Sequence, residues 1–185
     1  MNNILYGESI YLVPISANDT DNIVKWRNQP FVRDMFLRRE LLTEEIHNNW
    51  LNKMIETNKA KQFIIYVKED NRPIGSIFLK DIDLEKQTAE YGNFIGEEDC
   101  LGKGYGSDAG RTLIKYAFEK LGMKKIYLRV LQENVRAVNA YKKMGFVKTG
   151  SEYNEDVKAT VIYMEVTCMN FINCQQENPL PLGDG

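Results

Sequence analysis

Three glycines at alternate positions, in Leu101-Gly102-Lys103-Gly104-Tyr105-Gly106, run directly into an apolar-periodic segment over 107–121. Glycine lets a backbone take turns, and approach other groups closely, where a Cβ would obstruct. Behind the loop, Ala109, Leu113, Ala117 and Leu121 recur about a turn apart, and Ile114, Tyr116 and Phe118 widen the stripe, which predicts a long amphipathic helix. A glycine-rich loop that opens a helix leaves unpaired N–H groups at the positive end of the helix dipole, a setting that suits phosphate. No Gly-Lys-Ser/Thr ends the loop, so it is not a Walker loop, and its spacing departs from the dinucleotide fingerprint. By itself it allows two readings, an anion site or a plain strand-to-helix turn.

The chain's 185 residues suffice for one α/β domain with a substantial core. With 43% apolar and 27% charged residues the composition is that of a globular protein, and the net charge of −2 gives no reason to expect nucleic-acid binding. No run approaches the ~20 apolar residues that a membrane span needs, and the first residues lack the pattern of a signal peptide. The cysteines Cys100, Cys168 and Cys174 are an odd number without zinc-ligand spacing, and there is one histidine. We expect a reduced, cytoplasmic protein with no metal.

Hydrophobic periodicity and turn residues predict strands at 8–14, 62–68, 73–80, 88–95, 125–131, 146–151 and 160–167. Helices are predicted at 19–27, 43–57 and 107–121, and after the cap residue Asn134 up to Gly145. Phe31, Val32, Met35, Phe36 and Leu37 are greasy for a connection, and read as a short packed helix, an apolar wall beside a substrate, or both. Gly92, inside a strand, suggests a bulge or a close backbone approach. Residues 171–185, with two prolines and two glycines, are expected to be a poorly ordered tail behind a single domain at 1–170. The elements describe an α/β fold on a mixed, mostly antiparallel sheet of about seven strands flanked by about four helices.

A strand, a glycine-rich loop, a helix, a strand, an asparagine and then a helical tyrosine before Gly-Phe are far more specific together than the loop alone. This arrangement resembles the GNAT superfamily of acetyl-CoA-dependent N-acetyltransferases over roughly residues 5–168. That family's loop pattern, Arg/Gln-x-x-Gly-x-Gly/Ala, has its counterpart in Leu101-x-x-Gly104-x-Gly106. Its second signature, Asn-x-x-Ala-x-x-x-Tyr-x-x-x-Gly-Phe, stands in full at Asn134, Ala137, Tyr141, Gly145 and Phe146. Leu101 departs from the pattern, removing a polar side chain while keeping the backbone donors. The resemblance implies an acyltransferase with acetyl-CoA as cofactor and a small-molecule amine as acceptor.

The chemistry of the residues agrees. Consecutive N–H groups of Leu101, Gly102, Lys103, Gly104, Tyr105 and Gly106 can hold a pyrophosphate. Splaying of strands 88–96 and 125–131 would bare backbone groups for the amide-rich pantetheine arm, and Asn134 can add side-chain hydrogen bonds. Tyr141, a phenol with a pKa of about 10, can donate a proton to a leaving thiolate of thiol pKa about 8.5. Glu90 is the carboxylate best placed to act as base. Backbone N–H groups at Phe94 and Ile95 can meet the developing negative oxygen.

Acceptor choice is expected in the N-terminal helices. Trp26-Arg27-Asn28, Arg33 and the stretch from Thr43 through His47 to Trp50 resemble bacterial nucleotide-sugar N-acetyltransferases, which implies a UDP-linked 4-amino sugar as acceptor. Arg27 and Arg33 would face a diphosphate, and Trp26, Phe31 or Trp50 would stack a base or sugar. Asn28, His47 and Tyr91 complete the expected acceptor site. A bland alternative has both tryptophans in the core and both arginines solvated. Ribosomal-protein-type N-terminal acetylation, spermidine acetylation with Glu44, Glu45 and Glu90 lining the pocket, and a non-enzymatic acetyl-CoA-binding module are the alternatives in function. A homodimer paired through an edge strand or the 168–174 segment is compatible with the sequence.

Overall fold

β-Branched and aromatic residues dominate the strands of a single mixed sheet in the computed structural model, which describes residues 4–177. β1 (Leu5–Tyr6), β2 (Ile10–Pro14), β3 (Lys61–Val67), β4 (Pro73–Asp83), β5 (Thr88–Ile95), β6 (Lys125–Leu131), β7 (Val147–Asn154) and β8 (Ala159–Thr167) lie in the order β1-β2-β3-β4-β5-β6-β8-β7. Eight strands among the described residues replace the expected seven, because the two-residue β1, ahead of the predicted first strand, pairs back onto β2 as a short hairpin. Every pairing is antiparallel except β5 with β6.

Among the described residues six helices cover the sheet: α1 (Thr20–Asn28), α2 (Pro30–Arg33), α3 (Glu44–Trp50), α4 (Tyr105–Glu119), α5 (Val135–Lys142) and α6 (Cys168–Glu177). Thr43 caps α3 through Ile46 N–H, and a π-helical turn at Leu51–Ile55 continues it. Pro30 at the first position starts α2, in keeping with the short-helix reading of that apolar stretch. The expected tail at 171–185 is corrected in its first part. There α6 docks on β8 with Phe171 buried against Phe118, and residues 178–185 lie outside the described residues.

Alternation along the strands divides two cores. Phe63, Ile65, Ile77 and Tyr91 face α4 and α5, where Leu113, Ile114, Ala117 and Tyr141 meet them. Ile64 and Phe94 face the opposite way, onto α1–α3, with Ile23, Trp26, Val32 and Leu51. Cross-sheet burial of this kind fixes register, since a one-residue slip would exchange the two faces.

The parallel pairing of β5 and β6 reaches only Thr88↔Lys125, Ala89↔Ile126 and Glu90↔Tyr127. Beyond Glu90 the strands part, although β5 stays paired with β4 as far as Ile95. Gly92 is therefore not a bulge. It pairs in register with Phe78, and a Cβ there would meet the Phe78 ring at 2.4 Å.

Candidate active site

The parted strands open a cleft of about 1310 Å³ that runs from the glycine-rich loop, past Tyr141, to α1–α3. Its loop end is built as the sequence suggested. Gly102 and Gly104 adopt φ of +77° and +85°, and a Cβ on either would meet nothing within 4 Å, so the loop faces open space. Gly104 is the N-cap of the 15-residue α4, whose first N–H groups, at Tyr105 and Gly106, have no intrahelical partner. Leu101 contributes less than expected, because its N–H closes a 3₁₀ turn onto Glu98 O at 3.1 Å. Its side chain lines the cleft, whereas Lys103 is exposed on the loop. Asp108 would oppose an anion at this helix start. Its carboxylate instead accepts from Glu8 N–H, Ser9 N–H and Ser9 Oγ at 3.0, 2.7 and 3.0 Å, tying down the β1–β2 turn. Loop, helix start and open cleft therefore fit the pyrophosphate of a coenzyme.

Gly96 N–H bonds Ile74 O on β4 at 2.7 Å. By the alternation of an extended strand, the N–H groups of Ile95 and Asn93 turn the other way, towards the parted side. Phe94 is a correction. Its N–H falls on the β4 side, and its ring is buried under α1–α3, edge-on to Phe36. Asn134 caps α5, with Oδ1 accepting from Ala137 N–H at 3.2 Å, and lines the cleft.

Tyr141 is 8% exposed, in a nest of rings formed by Tyr91 and Phe146 at 5.9 and 5.7 Å. Its hydroxyl donates to Asn93 Oδ1 at 3.3 Å. Burial pushes its pKa up to about 12, so at neutral pH it is a protonated donor. Tyr91, expected at the acceptor, backs Tyr141 on the α4 face instead. Its hydroxyl lies beneath Gly110, where a Cβ would come within 2.8 Å, and burial raises its pKa well above the ordinary value. Glu90 lies on the other face and is held by cations: Arg129 Nη2 reaches Oε1 and Oε2 at 3.1 and 3.2 Å, and Lys80 Nζ reaches Oε2 at 3.3 Å. Glu90 thus ties Lys80 on β4 to Arg129 on β6.

The expected acceptor residues separate. Trp26 is fully buried, donates from Nε1 to Glu97 Oε1 at 2.7 Å and packs over Gly96, so it is core rather than a stacking surface. Asn28 clamps the segment after α2, giving to Leu42 O and accepting from Leu42 N–H, both at 2.8 Å. Arg33 sits beside Asp34 at 3.7 Å, outside the cleft lining. Arg27, His47 and Trp50 do reach the cleft, with Phe31 and Phe36. The Arg27 guanidinium stacks 3.5 Å over Phe36, its Nη1 is buried without a partner, and burial lowers its pKa to about 10, which leaves it charged at neutral pH. His47 Nδ1 lies 3.0 Å from Thr20 Oγ1, its Nε2 is buried without a partner, and desolvation depresses its pKa against the opposing pull of Asp19. Trp50 Nε1 donates to Gln62 Oε1 at 2.8 Å. Strand alternation already places Asn93 with Tyr91 on the face opposite Glu90, where it meets Tyr141 rather than the acceptor; Lys80 and Arg129 are site residues that sequence reasoning did not select.

Residues 9–147 match the family profile described as an acetyltransferase (GNAT) domain. The chain belongs to the GNAT acetyltransferase family. It is accordingly an acyltransferase whose cofactor is acetyl-CoA. Similar proteins include the acetyltransferase PseH of Campylobacter jejuni, 26% identical over 77% of this chain and 83% of that protein. The spermidine N(1)-acetyltransferase of Escherichia coli K12 is 31% identical over 80% of this chain and 78% of its own. The chain also aligns at 29% identity, over 76% of its length, with the uncharacterized protein MJ1062 of Methanocaldococcus jannaschii, of which it spans 28%. Among solved structures, spermidine N-acetyltransferase from Vibrio cholerae in complex with CoA and spermine superposes with a TM-score of 0.81 at 24% identity, covering 89% of this chain and 99% of that one. None of the helices among the described residues is long and apolar enough to cross a membrane.

Proposed function

We propose that this acetyltransferase acts on a primary amine carried by an anionic molecule, with a UDP-linked 4-amino sugar as the preferred acceptor. The observation that carries this reading is the Arg27 guanidinium. It is charged, stacked on Phe36 and facing the acceptor end of the cleft with Nη1 unpartnered. A buried guanidinium nitrogen without a hydrogen-bond partner is costly, and a phosphate or carboxylate from the acceptor would relieve that cost. Cationic side chains outnumber acidic ones six to three in the cleft lining. His47 Nε2 offers a further polar contact, and Trp50 and Phe31 offer flat apolar surface for a base or sugar ring.

Bound acetyl-CoA supplies the acetyl group as an activated thioester. The N–H groups of Gly102 to Gly106 and the start of α4 would hold its pyrophosphate, and the parted edge of β5 would take its amides. The Ile95 N–H, on the parted side of β5, would donate to the oxygen on which negative charge develops. Tyr141 holds a proton at Oη for the departing sulfur. The acceptor amine must be neutral to attack, so the rate should rise with pH through the amine's own ionisation.

A second reading, polyamine acetylation, is favoured by the E. coli relative at 31% identity and by the fold likeness to the Vibrio cholerae enzyme. Charge weighs against it here. Glu44 and Glu45 are exposed outside the cleft lining, and Glu90 is matched by Lys80 and Arg129. The test is CoA release with a UDP-4-amino sugar, spermidine and a Ser- or Ala-terminated peptide, with UDP as a competitor. Turnover of the sugar nucleotide, inhibited by UDP, is expected. A higher kcat/KM for spermidine would overturn the assignment.

A further inference from the structure

Asn93 joins the proton donor to the glycine-rich loop. Its Nδ2 donates to Gly106 O at 3.1 Å, and its Oδ1 accepts from the Tyr141 hydroxyl at 3.3 Å. A backbone carbonyl can only accept, so the NH2 end of the amide must face Gly106 and its carbonyl end must face the phenol. Tyr141 then has to be the donor of that pair, and a phenolate there would meet the negative end of the amide dipole. Space points the same way. A Cβ on Gly106 would lie 3.4 Å from Asn93 Nδ2, an ordinary contact distance, so the amide sits directly against the loop.

We propose that Asn93 is a positioning residue that keeps the Tyr141 hydroxyl protonated and sets its direction, coupling the proton donor to the loop that holds the coenzyme's phosphates. At 3.3 Å the bond is long, so the hydroxyl can exchange it for the departing sulfur without a large penalty. Burial of Tyr141 acts in the same direction as the amide. The inference rests on Tyr141 being the proton donor and makes no use of the acceptor's identity.

The experiment is a ¹⁹F NMR titration of protein labelled with 3-fluorotyrosine, whose fluorine lowers the phenol pKa into a range the fold tolerates. The Tyr141 resonance is assigned by its loss in Tyr141→Phe. In Asn93→Ala the Tyr141 midpoint should move down, because water entering the space can solvate the phenolate. In Asn93→Asp it should move up, because a carboxylate opposes a second negative charge. In parallel, kcat of Asn93→Ala with the UDP-4-amino sugar should fall about tenfold while the acetyl-CoA KM stays within about twofold. Folded variants with an unmoved midpoint and unchanged kcat would overturn the proposal. A fully active Tyr141→Phe would remove the donor role and the proposal with it. The fluorine titration needs no acceptor, so failure of the sugar assignment leaves its result readable.

Discussion

Tyr141→Phe removes one hydroxyl from a ring that keeps its packing against Tyr91 and Phe146. The hydroxyl's recorded bond is the 3.3 Å contact to Asn93 Oδ1, and losing a long neutral hydrogen bond costs about 1 kcal/mol of stability. The effect on chemistry is larger, since a positioned general acid contributes about 10²–10⁴ in rate, or ~2.7–5.5 kcal/mol. The lower half of that range is expected here. A phenol at about 12 lies above a free thiol at ~8.5, so complete transfer to the thiolate would run uphill by ~5 kcal/mol. The hydroxyl would then act mainly by hydrogen-bonding the charge that gathers on sulfur. We expect kcat to fall about 10²–10³-fold, read as CoA thiol release with a chromogenic disulfide. Acetyl-CoA affinity by calorimetry should stay within about twofold. A variant keeping more than about a third of wild-type kcat would refute the donor role, and a tenfold or greater loss of acetyl-CoA affinity would make Tyr141 structural.

Three further outcomes are expected. Arg27→Met should raise the KM for the sugar nucleotide by about tenfold or more while leaving the acetyl-CoA KM unchanged, because a charge-assisted contact is worth roughly 1.5–3 kcal/mol; equal effects on both substrates would argue against an anion contact. Gly96→Ala should destabilise the fold by about 1–3 kcal/mol in urea denaturation, since a Cβ would fall 2.1 Å from the buried Trp26 ring; an unchanged midpoint would mean that Trp26 yields easily. His47 has a folded pKa below its unfolded value. The unfolded chain therefore binds the proton first as pH falls, and this site's contribution is lost on going below about 6.5. Stability measured from pH 7.5 to 5.5 should fall more in wild type than in His47→Gln, and parallel curves would count against the buried neutral histidine.

The glycine-rich loop was legible because its function lies in the backbone, and glycine at fixed spacing announces backbone conformation directly. Asn134 and Tyr141 were legible because the full signature places one at the N-cap and the other about two turns into the same helix. Trp26 and Arg27 show where reading stops. They are neighbours on α1, yet a 100° rotation puts one in the core against Gly96 and the other in the cleft over Phe36. Glu90 shows the same limit on a strand. Its character depends on Lys80, opposite it on β4, and on Arg129 on β6, and no local pattern ties those three positions together.

By itself the sequence determined the order of the main helices and strands, the loop that can cradle phosphate and the family signature from Asn134 to Phe146, since each rests on short-range spacing and backbone preference. The tertiary structure alone decided where β5 and β6 part, which face of β5 packs against Tyr141 and which against α1–α3, and that the loop, Asn93 and Tyr141 form one connected unit. Those are long-range facts. They come from cross-strand register and from the packing of α4 and α5 on one face and α1–α3 on the other, and they bring residues into contact that sequence distance keeps apart.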